Sequence, residues 1–252
     1  MDKQPVFFCV CSQKGGVGKS TFTILLANWL HYALGRDVLV VDCDAPQWSI
    51  VAQRERELDV LERNDRYKLM MVRLFKRTGR KIWPVVRSTP YEGLQAARAY
   101  FAAGDREADF VRLDLPGTVA APGIFRLLAQ LDHLFIPLKA DKLVVESALS
   151  FARAVDEQLV HNDAHRLKGL HLFWTMVDRR ERTPLYESYG QAFAAFRLPV
   201  LQTQVPYRSR FSKEILDTSG AVGRSTLFPA DRAFAADAAL DALAAEILSL
   251  ME

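Results

Sequence analysis

The 252-residue chain is short of cysteine, of net charge and of long apolar runs, and each shortage removes a class of protein. Three cysteines make no disulfide framework, and Cys9, Cys11 and Cys43 lack the spacing of zinc ligands. They read as small buried hydrophobes in a reducing compartment. A net charge of only +3 excludes a polycation, so any affinity for nucleic acid has to come from local patches. No apolar stretch reaches the roughly 18 residues that a membrane-spanning helix needs. The charged, Pro-containing start of the chain lacks the apolar run of a signal peptide, which predicts a cytoplasmic protein. No repeat, low-complexity tract or linker divides the sequence, and with half of it apolar the expectation is one domain over residues 1–252.

What is present is an alternation of strand-like and helix-like segments. Strands are predicted at residues 6–12, 37–42, 82–87, 110–115, 134–138, 170–177 and 200–205. Helices are predicted at 20–34, 49–78, 93–103, 124–131, 143–160, 185–196 and 230–251. Pro84 places the third strand at a sheet edge, because proline cannot donate to a ladder. Such βα alternation predicts an α/β fold of the P-loop NTPase type, a mostly parallel sheet with helices on both faces and ligands at the carboxyl ends of its strands.

Lys14-Gly15-Gly16-Val17-Gly18-Lys19-Ser20 joins the first strand to the first helix. Glycines there let backbone N–H groups converge on phosphate oxygens, and the helix N-terminus favours the same anion. Lys19 is expected to reach the β- and γ-phosphates of ATP, Ser20 to ligate Mg²⁺, and Thr21 to touch the α-phosphate. Gln13 stands where the ordinary loop has its first glycine. A second lysine, Lys14, makes sense where concentrated negative charge arrives to meet it.

Two further apolar strands end in acids, Asp42 with Asp44, and Asp114, at the sheet edge that faces such a loop. Handling of metal and water is the functional role of the first two, and capping of the next helix the structural one. Asp114 stands where Mg²⁺ would be held through water, and Gly117 where the γ-phosphate would be sensed.

These motifs resemble the ParA/MinD family of ATPases, and the segment from Val40 to Glu55 with the insert after it resembles ParA-like proteins encoded with conjugative transfer modules. The resemblance implies that Lys14 acts in trans, across a homodimer formed on ATP and Mg²⁺. It casts Asp42-Cys43-Asp44-Ala45-Pro46-Gln47 as a first switch with Ala45 inserted, Asp44 orienting the attacking water and Asp42 supporting the metal. It casts Asp114 as the Walker B acid, and Asp178, Pro206 and Tyr207 as candidates to hold adenine. Turnover is expected to be slow and stimulated by a protein partner.

The switch is expected to act on DNA. Residues 66–87 hold eight basic side chains and no acidic one, with Arg66, Arg73, Arg77 and Arg80 in a helical stripe above Tyr67, Met70, Met71 and Leu74. A solvated helix face is the equal alternative. Arg208, Arg210 and Lys213 lie where family members place DNA-contacting arginines, which implies sequence-independent, salt-sensitive binding. Membrane positioning is disfavoured, since residues 230–252 carry Asp237, Asp241, Glu246 and Glu252 opposite their apolar side. An iron-sulfur reductase would need cysteines beyond the second switch, the turn from Asp114 to Gly117, and all three cysteines precede it. A P-loop ligase stays open on motif alone.

Overall fold

The computed structural model describes residues 4–104, 107–117, 122–178, 180, 184–215 and 222–252. Six strands, β1 (Val6–Val10), β2 (Val38–Asp42), β3 (Val85–Arg87), β4 (Phe110–Asp114), β5 (His133–Leu138) and β6 (Gly169–Trp174), form one parallel sheet in the order β3-β2-β4-β1-β5-β6. The expected sheet is therefore present, and β3, directly after Pro84, lies at its edge.

Alternation along each strand sends neighbours to opposite faces. Phe7, Cys9, Leu39, Val41, Val111 and Leu113 pack under α4 (Gly93–Ala102), α5 (Pro122–Leu128), α6 (Lys142–Val155) and α7 (Leu185–Ala195). Phe8, Val10, Val38, Val40, Phe110 and Phe135 pack under α1 (Lys19–Asn28), α8 (Arg232–Asp237) and α9 (Leu240–Met251). All three cysteines are free and buried on the first of these faces.

Three expectations give way to local chemistry. The helix foreseen over residues 49–78 is two, α2 (Ser49–Arg63) and α3 (Asp65–Thr78), because Asn64 adopts an extended backbone and its side chain caps Arg66 N. The closing helix likewise breaks at Ala239, which takes φ 53°, into the separate helices α8 and α9. Residues 200–205 form no strand; an isolated bridge joins Val200 to Leu172, and a second joins the following Pro206 to Val177. Arg80 also leaves the expected stripe: it lies beyond α3 and pairs with Asp37 at 2.7 Å. Tyr67 and Leu74 are buried as expected, against Phe228 and Leu227.

α2 is welded to residues 224–228. The buried carboxylate of Glu57 accepts from Ser225 Oγ, Thr226 N, Thr226 Oγ1 and Gln53 Nε2. Arg54 donates to Thr226 and stacks 4.3 Å above Trp83. A loop far along the chain is thus fixed beside the helix that follows the first pair of acids.

Candidate functional site

The glycine loop leaves β1 and turns into α1 through positive backbone angles, φ 74° at Gly16 and 93° at Gly18, which a side chain would strain. At Gly18 a Cβ would also come 3.0 Å from Phe22. Gln13 is explained here: its Oε1 accepts from Ser147 on α6 at 2.9 Å, tying the loop to the opposite layer. Val17 is buried and anchors the loop, while Lys14, Gly15 and Gly16 are exposed.

Lys19 Nζ donates back to Lys14 O at 3.3 Å, so the ammonium lies over the loop. Gly117 faces it, with Nζ 3.5 Å from where a Cβ would project. Ser20 Oγ donates to Asp114 Oδ2 at 2.7 Å, and Thr23 Oγ1 to Asp114 Oδ1 at 3.0 Å. Thr23 was not singled out in the sequence; its place one turn after Lys19 is the signal that could have found it.

Asp42 and Asp114 are adjacent across β2 and β4 and fully buried. Burial pushes the Asp114 carboxyl up to about 7, Asp42 adds to the rise, and the Ser20 and Thr23 hydroxyls and Arg112 oppose it. Two neighbouring buried carboxylates disfavour each other's ionisation, which a cation at this place would offset. Arg112, two residues back, is itself buried over the Phe8 ring, and burial lowers its guanidinium to about 9.

The capping role holds for Asp42. Its Oδ2 accepts from Ile50 N and Val51 N at 2.9 and 3.0 Å, fixing the start of α2, and its Oδ1 accepts from Asp44 N at 3.2 Å. Burial raises its pKa despite those donors. Asp44 is partly open to the pocket; burial raises its pKa while Lys19 opposes the rise. The Ser20 hydroxyl and the carboxylates of Asp114 and Asp42 suit Mg²⁺, which is usually held by one or two carboxylates and fills its shell from phosphate and water. Among the described residues no cluster of three or more His, Cys, Asp or Glu forms a metal cage.

A cavity of about 470 Å³ opens over the loop. Gly16, Gly18, Lys19, Ser20, Thr21 and Asp44 line one side; Gln53 and Arg56 of α2, with Glu214 and Arg224, line the other. The second group has no motif, and nothing in the local sequence marks it.

The bridge between Val177 and Pro206 brings Asp178, Pro206 and Tyr207 together, with Tyr207 N donating to Val177 O at 3.0 Å. Asp178 caps Arg180 N, and these three residues do not line the cavity over the loop. The arginines expected at DNA are engaged within the chain. Arg208 pairs with Asp237, and Arg210 pairs with Asp231, donates to Val222 O and stacks on Phe234. Lys213 is exposed. Asp231, which caps the start of α8, and Asp237, its last residue, thus sit against these arginines.

Residues 8–221 match the sequence model of the CobQ/CobB/MinD/ParA nucleotide binding domain. An iron-sulfur cluster carrier protein of Bacillus subtilis (strain 168) is 34% identical over 124 residues, 46% of this chain and 34% of that protein. The chain thus spans about a third of the length of that curated relative. A plasmid partition protein from Borrelia burgdorferi shares the fold at a TM-score of 0.55 and 20% identity, over 82% of this chain and 91% of that one. A structure of pNOB8 ParA bound to nonspecific DNA does so at 0.51 and 18%, over 79% of each chain. With a glycine loop at the start of α1, Lys19 over it and a buried pair of acids at the head of a parallel sheet, the chain belongs to the CobQ/CobB/MinD/ParA family of nucleotide-binding domains.

Proposed function

We propose that the chain is an ATP-hydrolysing switch. ATP with Mg²⁺ occupies the loop, two copies close on each other with the partner subunit's Lys14 at each nucleotide, and the closed pair binds DNA without sequence preference. Hydrolysis, slow until a protein partner stimulates it, reopens the pair. The setting is partition or conjugative transfer of a mobile DNA element.

One observation carries this reading: Lys14 is exposed at the mouth of the loop and makes no ion pair among the described residues, while Lys19 lies over the cradle. An exposed cation beside a cationic loop gains from a polyphosphate held by another copy. In each site Lys19 would neutralise the outer phosphates, Ser20 and Asp114 would hold the cation side, and Asp44 would orient the attacking water. Bound Mg²⁺ would supply charge stabilisation to the transferring phosphoryl group.

For DNA, Lys213 and the exposed Arg66, Arg73 and Arg77 of α3 offer phosphate contacts directly. Arg208 and Arg210 have to exchange Asp237 and Asp231 for phosphate. The reading includes no membrane step: Leu240, Leu243, Ile247 and Met251 of α9 are buried in the core, and Glu246 accepts from Gln202 N and Thr203 N. A cluster-carrying role finds no support in Cys9, Cys11 and Cys43, all buried under helices.

Size-exclusion chromatography with ATP and Mg²⁺ tests the switch. Wild-type protein elutes as a dimer, Lys14→Ala and Lys19→Ala as monomers, and Asp44→Ala as a dimer that persists. Monomeric wild-type protein saturated with ATP contradicts the role in trans. Filter binding that retains DNA equally with and without ATP, across several salt concentrations, contradicts the DNA step.

A further inference from the structure

The wall of the cavity opposite the loop is an ion-pair chain. Arg224 Nη2 donates to Glu214 Oε1 at 2.7 Å, and Arg56 Nη2 donates to Glu214 Oε2 at 3.0 Å. From the same guanidinium, Arg224 Nη1 reaches across to Thr21 Oγ1 at 3.1 Å, on the first turn of α1. Its Nε is buried with no hydrogen-bond partner among the described residues. An arginine is thus held at the cradle, with one carboxylate shared between two guanidinium groups.

The backbone beneath it is fixed from several sides. Arg224 N donates to Lys213 O at 2.9 Å, and the next two residues bond to the buried Glu57. Gly223 has to be glycine, since a Cβ there would lie 2.2 Å from Arg210 O and 3.0 Å from Lys213 O. Positioned in this way, the guanidinium loses little freedom when an anion arrives, and its planar donors suit phosphate oxygens.

We propose that Arg224 is a phosphate-binding residue of the nucleotide site, taking the phosphate beside Thr21, and that Glu214 is the internal counter-ion which this phosphate displaces. This rests on the nucleotide reading above and deepens it. Glu214 neutralises Arg224 in the nucleotide-free protein and competes with the nucleotide for it, so it weakens binding, whereas Arg224 strengthens it. Arg56, more exposed than Arg224, stays with Glu214 and keeps that carboxylate from facing the phosphates alone.

Calorimetry with ATP and Mg²⁺ on the full chain tests the pair as a cycle. Arg224→Gln weakens ATP binding about 10-fold or more, the scale of a hydrogen bond to a charged group. Glu214→Gln tightens it several-fold, an effect that loss of a merely structural ion pair does not produce. In the double variant Glu214→Gln gives no tightening over Arg224→Gln, because its effect runs through Arg224. Glu214→Gln serves alone should Arg224→Gln not fold. Wild-type affinity in Arg224→Gln, or weakened binding in Glu214→Gln, overturns the inference and leaves the nucleotide site standing. Wild-type protein that takes up no ATP overturns both.

Discussion

Ser20 and Asp114 are joined by a 2.7 Å hydrogen bond that links the first turn of α1 to the end of β4. The hydroxyl expected to ligate Mg²⁺ and the acid expected to hold that ion through water are already in contact. The carboxylate is buried beside Asp42, and a divalent cation held there would compensate the buried charge. Asp114→Asn keeps an acceptor for Ser20 or Thr23 and removes the charge. It is expected to leave the nucleotide-free fold as stable as wild type, while Mg²⁺-dependent nucleotide binding falls about 10–100-fold. Thermal unfolding and calorimetry with and without Mg²⁺ separate the two effects.

Glu57 holds α2 to the loop that carries Arg224. Its removal leaves Thr226 N, the Ser225 and Thr226 hydroxyls and the Gln53 amide without their buried acceptor. Glu57→Ala is expected to cost about 3 kcal/mol or more, and Glu57→Gln less, because one acceptor remains. Urea unfolding monitored by tryptophan fluorescence measures both.

Gly93 begins α4 where that helix crosses the strand ends. A Cβ there would lie 2.7 Å from Cys43 Sγ and 3.1 Å from Leu113 Cδ2. Gly93→Ala is expected to destabilise by about 1–3 kcal/mol through overpacking. Cys43→Ala in the same chain removes the clashing sulfur and should recover part of the loss. Recovery is read from the urea midpoints of the single and double variants.

His133 is buried on β5 beside the rings of Phe135 and His171. Burial lowers its imidazole to about 4, with His171 and Lys168 adding to the fall and Asp132 opposing it. The folded value lies below the ordinary one near 6.5, so the unfolded chain binds more protons and stability falls as pH drops from about 6.5 to 4. His133→Phe keeps a ring in the stack and removes that titration. Wild-type protein should lose stability relative to this variant across that window and show no relative change above pH 7. Unfolding midpoints at a series of pH values check the sign.

The central sheet was legible because β2 and β4 are apolar runs that stop at an acid and β1 is one that runs into the glycine loop, and β3 because Pro84 forbids an interior place. Helix breaks were harder to see. Asn64-Asp65 carries a capping signal, but the apolar spacing runs on through it; Ala239 carries no glycine, proline or asparagine to mark its left-handed turn. Motif singles out the loop residues and Asp114 as candidates, whereas Arg224 meets Thr21 across 203 positions and has no local signature. Arg208 and Arg210 read as free cations in sequence because their acids lie 29 and 21 residues further on.

Calorimetric titration of wild-type protein and Lys19→Ala with ATP, with and without Mg²⁺, is the most direct measure of whether the loop between β1 and α1 is a triphosphate cradle. Saturable, Mg²⁺-dependent uptake of one nucleotide per chain by wild-type protein, lost in Lys19→Ala, is the expected result. No uptake by wild-type protein, or equal uptake by the variant, contradicts it.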